Sequence, residues 1–150
     1  MRIIKDIVAN TALIRVHYKV GTNIETIYCS ANPFIILGGL EIELPANCFL
    51  QVSKESINII SGIVLNLADS YRNIIDLYAG IGTYGYFLCK KSMVTCFESN
   101  KFMVNTINQN AKKYDLNLKG IVRDLHKKPL KKSELEVFDL AIINPPRGGA

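Results

Sequence analysis

The sequence predicts an α/β protein in which a parallel sheet follows a small antiparallel β unit. Three observations support this prediction. Apolar and polar residues alternate with a period of two within residues 1–48, apolar residues recur at helical spacing after Ser53, and short apolar strands alternate with helices from Asn73 onward. Because strands separated by helices pair in parallel, residues 49–150 are expected to form a layered sheet.

The first unit, residues 1–48, is expected to consist of strands alone. Alternation over residues 14–20 predicts a half-buried strand, and a turn leads from it into a second strand at Ile24–Cys29. A glycine pair at 38–39 breaks the chain before a further alternating stretch at residues 40–44. These strands would make a small antiparallel unit.

The second unit begins with a helix that Ser53 is expected to cap and that ends near Asp69. The elements after it are predicted, in order, as strand Asn73–Tyr78, helix Tyr84–Lys90, strand Met93–Glu98, helix Lys101–Tyr114 capped by Asn100, strand Leu118–Val122 and strand Phe138–Ile143. The last strand is the most apolar, and two prolines end it.

The composition excludes several classes of protein. Apolar residues make up 49% of the 150 residues, which is enough for a core, and no run of about 18 apolar residues could form a transmembrane helix. The N-terminus lacks the apolar segment of a secretory signal, so we expect a cytoplasmic protein that does not enter a membrane. None of the four cysteines forms a Cys-x-x-Cys pair, so no metal site is expected.

The net charge is +5, and six lysines lie close together in one quarter of the chain. They are Lys112, Lys113, Lys127, Lys128, Lys131 and Lys132. Two interpretations stay open at this point. The cluster could attract a phosphate backbone, or it could be a solvated loop whose lysines reflect an AT-biased genome.

The strongest chemical signal is a glycine-rich turn between a strand and a helix. Residues 76–85 read Asp-Leu-Tyr-Ala-Gly-Ile-Gly-Thr-Tyr-Gly. Glycines let a ligand approach the backbone closely, and a helix N-terminus offers free N–H groups. Glu98 ends the next strand, where a carboxylate can accept both hydroxyls of a ribose.

Two cofactors match this turn. Gly80, Gly82 and Gly85 have the spacing of a dinucleotide fingerprint, but a carboxylate at Asp76 would repel a pyrophosphate. The same carboxylate suits the ammonium group of S-adenosylmethionine (SAM), which is therefore favoured over NAD. The alternative without a ligand, a tight turn in which Asp76 only caps the helix, leaves Glu98 unexplained.

A second signal is the segment Asn144-Pro145-Pro146-Arg147-Gly148 after the last strand. The two prolines hold the turn rigid, and open α/β sheets bind ligands at the carboxyl ends of their strands. Asn144 is therefore expected to point into a cleft. A simple Asx turn that ends the strand is the alternative.

Together these motifs resemble the RNA (uracil-C5) methyltransferase family. The resemblance rests on Gln51 within Phe49-Leu50-Gln51-Val52, on residues 76–82, on Glu98 and on residues 144–148, in the family's order and spacing. It implies part of a class I SAM-dependent, Rossmann-like fold that makes 5-methyluridine in tRNA or rRNA, and the Asn before the prolines resembles rRNA-type members. The implied cofactor contacts are Gln51, Tyr78, Glu98 and Asn144, with Asp124 as a further candidate for the adenine edge.

The resemblance also implies groups that the chain does not supply. The family uses a cysteine thiolate that adds to uracil C6 and a carboxylate base that removes the C5 proton, both expected after Arg147. No residue is therefore predicted to be catalytic, and residues 49–150 are expected to be the SAM-binding part of a domain that is incomplete at its C-terminus. A second polypeptide is a candidate to supply the remaining strands.

Two alternatives to this function stay open. One is a non-catalytic SAM-binding remnant of a split or truncated gene. The other is methylation of an amino group, for which Asn-Pro-Pro followed by an aromatic residue is usual, whereas Arg147 occupies the aromatic position here. His17 and His126 are expected to be surface residues without a partner.

Overall fold

The computed structural model describes residues 2–21, 23–46, 48, 50 and 53–146, and the side chains of residues 2–5 are not described. Its elements are, in chain order, α1 Arg2–Ala9, β1 Arg15–Val20, β2 Asn23–Cys29, β3 Phe34–Leu37, β4 Leu40–Glu43, α2 Lys54–Ala68, β5 Asn73–Leu77, α3 Gly85–Leu88, β6 Met93–Glu98, α4 Lys101–Lys113, β7 Leu118–Val122, α5 Lys132–Leu135 and β8 Leu140–Ile143.

The N-terminal part contains two antiparallel hairpins, β1–β2 and β3–β4. The prediction of strands alone was wrong for the first residues, because α1 precedes them. Polar side chains hold the last turn of this helix: Asn10 Nδ2 donates to the Asp6 carbonyl and Thr11 Oγ1 to the Ile7 carbonyl, each at 2.8 Å. These bonds satisfy carbonyls that a helix end would otherwise leave unpaired.

The remaining strands form one parallel sheet in the order β7-β6-β5-β8. This order confirms the predicted α/β class with a parallel sheet. The predicted caps are present as well: the Ser56 N–H donates to Ser53 Oγ at the start of α2, and the Phe102 N–H donates to Asn100 Oδ1 at the start of α4. Because the four strands run in parallel, their carboxyl ends all lie at one edge of the sheet.

The main core lies on one face of the sheet, beneath α2, α3 and α4. Ile74, Val94 and Ile107 are fully buried there. Leu37 and Ile42, from the β3–β4 hairpin, are also fully buried and belong to the same cluster. The division of the chain at residue 48 stays a prediction, but this hairpin contributes to the core of the sheet.

The opposite face of the sheet is covered by the segment that follows β7. Its small cluster is built on Ile75, Phe97 and Leu125. Arg123 holds the segment in shape: its guanidinium donates to the Lys128 and Pro129 carbonyls at 2.7 and 2.6 Å, and to Glu134 in α5 at 2.5 and 3.1 Å. This network fixes the loop that borders the carboxyl edge of the sheet.

Candidate functional site

A cleft of about 660 Å³ lies at the carboxyl ends of β5, β6, β7 and β8. Four of the predicted contacts line it: Tyr78 after β5, Glu98 at the end of β6, Asp124 after β7 and Asn144 after β8. Gln51, the remaining predicted contact, lies outside the described residues. Residues far apart in the sequence therefore meet in a volume typical of small-molecule sites, which span about 300–1,000 Å³.

The glycine-rich turn forms the floor of the cleft, and three of its N–H groups already have partners within the protein. The Ala79 N–H donates to the Phe97 carbonyl, the Gly80 N–H to Glu98 Oε2 at 3.1 Å, and the Gly82 N–H to the Ala79 carbonyl. The helix after it, α3, is only four residues long. The free N–H groups that the sequence suggested are therefore absent from these three positions, which argues against a phosphate in the turn.

Packing explains two of the three glycines. A Cβ on Gly85 would lie 2.7 Å from Leu118 Cδ1, and one on Gly82 would lie 3.1 Å from Ile107 Cγ1. Gly82 also has a φ of +81°, a conformation that side chains disfavour. These residues let the turn lie flat on the sheet, directly over the core.

Glu98 bridges the turn and the start of α4. Its Oε1 accepts from Ser99 Oγ at 3.0 Å and from the Asn100 N–H at 2.8 Å, while Oε2 accepts from Gly80. A carboxylate has about four acceptor positions, so three are occupied by the protein. Glu98 can accept one further hydrogen bond as it stands, and a second if the Ser99 hydroxyl turns away.

Asp76 lies beneath the turn and lines the bottom of the cleft, with only 1% of its surface exposed. Its Oδ1 has no hydrogen-bond partner among the described residues, and Cys96 Sγ lies 4.0 Å from its Oδ2. Burial, and to a smaller extent the charge of Glu98, together raise the pKa of Asp76 to about 7. This carboxyl is the one strongly perturbed acid among the described cleft residues.

An aromatic pair forms one wall of the cleft. The rings of Tyr78 and His126 are 5.6 Å apart at an interplanar angle of 53°. His126 was expected to have no partner, and that expectation was wrong because the loop after β7 folds back toward the end of β5. His17, expected to lack a partner as well, also has a hydrogen-bond partner, since its Nδ1 lies 3.1 Å from Thr26 Oγ1. Sequence analysis had no signal for His126 except its position two residues after Asp124.

Asp124 organises the loop on which it lies. Its Oδ1 accepts from the His126 and Lys127 N–H groups at 3.1 and 3.2 Å, and its Oδ2 is 3.4 Å from Lys127 Nζ. These bonds, first of all the one from the Lys127 backbone, lower the pKa of Asp124. Of the described lining residues, Arg123 alone is a lysine or arginine, and its charge is neutralised by the ion pair with Glu134. The described lining of the cleft therefore presents carboxyls rather than a free cation that could hold a phosphate.

Asn144 closes the cleft on the β8 side. Its N–H donates to the Leu77 carbonyl at 3.4 Å, which extends the β5–β8 pairing by one residue. Pro145 and Pro146 line the cleft beside it. The structure thus brings the Asn-Pro-Pro segment next to the glycine-rich turn, as parallel pairing of β5 with β8 requires.

Two further properties concern the whole described chain. Within the described ranges, no helix is both long and apolar enough to cross a membrane. The same residues contain no group of three or more His, Cys, Asp or Glu side chains that could hold a metal ion.

Comparison with known families gives the class of the protein. The model of the family described as methyltransferase small domain matches residues 52–148, which includes the turn, Glu98 and the Asn-Pro-Pro segment. The chain belongs to this methyltransferase family. Membership confirms SAM as the predicted cofactor.

Individual relatives agree with this assignment. The chain is 30% identical over 142 residues to an RNA methyltransferase of Zymomonas mobilis, and 28% identical over 115 residues to the tRNA (uracil(54)-C(5))-methyltransferase of Pyrococcus furiosus. These matches cover 95% and 75% of the chain but only 36% and 26% of the relatives. The chain therefore spans about a third of the length of the relatives it matches.

A solved structure shows the same fold. The tRNA (uracil-54, C5)-methyltransferase of Pyrococcus abyssi, in complex with S-adenosyl-L-homocysteine, superposes with a TM-score of 0.72 at 21% identity, over 95% of this chain and 37% of that one. This likeness confirms the predicted Rossmann-like methyltransferase fold, and the family model and the relatives confirm the predicted resemblance to RNA methyltransferases.

Proposed function

We propose that the chain binds SAM in the cleft and serves the C5 methylation of uridine in rRNA or tRNA in the cytoplasm. The observation that carries the proposal is the meeting of Tyr78, Glu98, Asp124 and Asn144, from four separate strands, in one cleft beside the glycine-rich turn. The similarity to RNA methyltransferases supports RNA as the substrate class.

The residues present fit this cofactor. SAM supplies an activated methyl group on a positively charged sulfonium, and it carries an ammonium but no phosphate. The unpartnered Oδ1 of Asp76 would receive the ammonium, and the open acceptor position of Glu98 would receive a ribose hydroxyl. Tyr78 and Asn144 would border the methionine part, and Asp124 the adenine edge.

The chemical step needs more than the described cleft contains. Uracil C5 is a weak nucleophile that requires a thiolate and a base. No cysteine is among the described lining residues, and Cys96, the cysteine nearest the cleft acids, is fully buried with a pKa well above its usual value, chiefly through burial. We therefore assign cofactor binding, and no catalytic residue, to the described part of the chain.

Isothermal titration with S-adenosylhomocysteine and with NADH tests the cofactor. We expect the first to bind and the second not to bind. Glu98→Gln should weaken binding by roughly 10-fold or more, because a hydrogen bond to a charged acceptor contributes about 1.5–3 kcal/mol. Glu25→Gln, on exposed β2, removes the same charge away from the cleft and should leave the affinity unchanged. Equal affinity of both variants would refute the role of Glu98.

The lysine cluster offers a matched test of RNA binding. Lys127 and Lys128 follow β7 on the cleft side, whereas Lys112 and Lys113 end α4, about 20 Å along a helix that starts on that side. Replacing the first pair by glutamate should weaken binding of unmodified rRNA or tRNA more than replacing the second pair, and should reduce its salt dependence. Equal weakening by both pairs would show that only net charge matters.

A further inference from the structure

The carboxyl of Asp76 has an environment that an ionised acid would not tolerate. It is almost completely buried, its Oδ1 accepts no hydrogen bond from any residue that the structure describes, and its one described polar contact is the Cys96 thiol at 4.0 Å from Oδ2. A buried charge is costly unless it is paired or hydrogen-bonded. In the empty cleft, the neutral acid is therefore the form that this geometry favours.

Among the described residues around Asp76, none is a free cation that could offset the charge. The titratable groups facing Asp76 from β6 are Cys96 and Glu98, and α3 contributes Tyr86 next to Cys96. On β8, the register partner Ile142 and the following Asn144 carry no charge. The other titratable side chains that line the same cleft are Tyr78, Tyr84, Arg123, Asp124 and His126. Arg123 is held by Glu134 at 2.5 Å and is not available to Asp76.

We propose that Asp76 carries a proton while the cleft is empty and releases it to solvent when the ammonium of the methyl donor enters. The O–H bond of the carboxyl breaks, the proton passes to buffer, and the ligand keeps its own ammonium proton, so the new ion pair forms without redox chemistry. The inference rests on the proposed function and deepens it, because Asp76 then selects ligands by the charge of their amino-acid end.

The magnitude follows from ordinary proton linkage. With a pKa of about 7, Asp76 is about 90% protonated at pH 6.0 and about 50% protonated at pH 7.0 in the empty protein. Because only the ionised fraction pairs with the ammonium, the affinity should rise about fivefold between these pH values. The α-amino group of a ligand, with a pKa near 7.7–8.0 in peptides, stays largely charged over this range.

Isothermal titration in two buffers of different ionisation enthalpy counts the released protons. S-adenosylhomocysteine carries the ammonium, and 5′-methylthioadenosine has the same nucleoside without the amino-acid end. At pH 6.0 we expect the first ligand to release about 0.9 proton more than the second. In Asp76→Asn, which keeps the size of the side chain, this difference should disappear, while Asp6→Asn, on the exposed surface of α1 and outside the cleft lining, should leave it in place.

The outcomes separate the inference from the proposed function. Equal proton release by the two ligands, with both bound, would overturn the inference and leave SAM binding intact. Absence of binding by either ligand would overturn the proposed function and the inference with it. If the Asn variant does not fold, NMR of the wild-type protein tests the inference through the carboxyl ¹³C signal of Asp76. This signal should titrate near neutral pH without ligand and should become independent of pH when S-adenosylhomocysteine is bound. A signal already ionised at pH 5 refutes the inference.

Discussion

The two adjacent glycines of the β3–β4 turn should respond very differently to alanine. Gly38 and Gly39 both have positive φ values, +60° and +86°. A Cβ on Gly38 would lie 2.3 Å from the Tyr86 carbonyl oxygen and 2.9 Å from its carbon, whereas a Cβ on Gly39 would meet nothing within 4 Å. Gly39→Ala should therefore destabilise the fold only through backbone strain, by about 1–2 kcal/mol.

Gly38→Ala adds a collision with backbone atoms that cannot rotate away. Overpacking of this kind destabilises by a further 1–3 kcal/mol or so, which corresponds to a melting temperature roughly 2–12 °C lower than that of Gly39→Ala. Urea denaturation of both variants measures the difference directly. If the two variants were equally stable, the hairpin would not pack on Tyr86, and its place in the main core would be wrong.

Two further predictions concern Asp76 and β8. Because its pKa is raised to about 7, Asp76 binds a proton more tightly in the folded than in the unfolded protein, and the stability that this gives is complete below about pH 4 and is lost as the pH rises through 7. The free energy of unfolding of the wild type should therefore fall by about 2–3 kcal/mol from pH 5 to pH 8 relative to that of Asp76→Asn. Urea-denaturation profiles of the two proteins that run parallel between these pH values would contradict this. β8 pairs only with β5 in the described sheet, and 58% of Ile143 is exposed. Light scattering should therefore detect self-association through this edge, and Ile143→Lys should reduce it. If the measured mass is the same for the wild type and the variant, pairing through the β8 edge is excluded.

Local signals explain why the second part of the chain could be predicted element by element. Ser53 and Asn100 cap their helices with their own side chains, and β6 and β7 match the predicted strands residue by residue. These features depend on neighbours in the sequence. The α1 helix was missed although the sequence carries a signal for it, because the apolar residues of its segment, Ile3, Ile4, Ile7 and Val8, recur at helical spacing.

Features that depend on distant residues were not predictable. The contact between Tyr78 and His126 requires the loop after β7 to fold toward β5. The short helix α5 is held in place by the ion pair between its Glu134 and Arg123. The burial of Asp76 likewise results from the turn lying over it. The sequence indicated which residues end the strands, but the protonation of an acid depends on what covers it.

The backbone of Tyr78 bears on how this position can change over evolutionary time. Its φ is +60°, although the residue is not a glycine, and such a conformation costs about 1–2 kcal/mol for an ordinary side chain. Glycine would remove that strain, but it would also remove a ring that packs against the cluster of Ile75, Phe97 and Leu125. The same ring forms a wall of the cleft with His126, so no single substitution relieves the strain and keeps that wall. Change at position 78 is therefore constrained from two sides, by a backbone that favours glycine and by a cluster and a cleft wall that contain the ring.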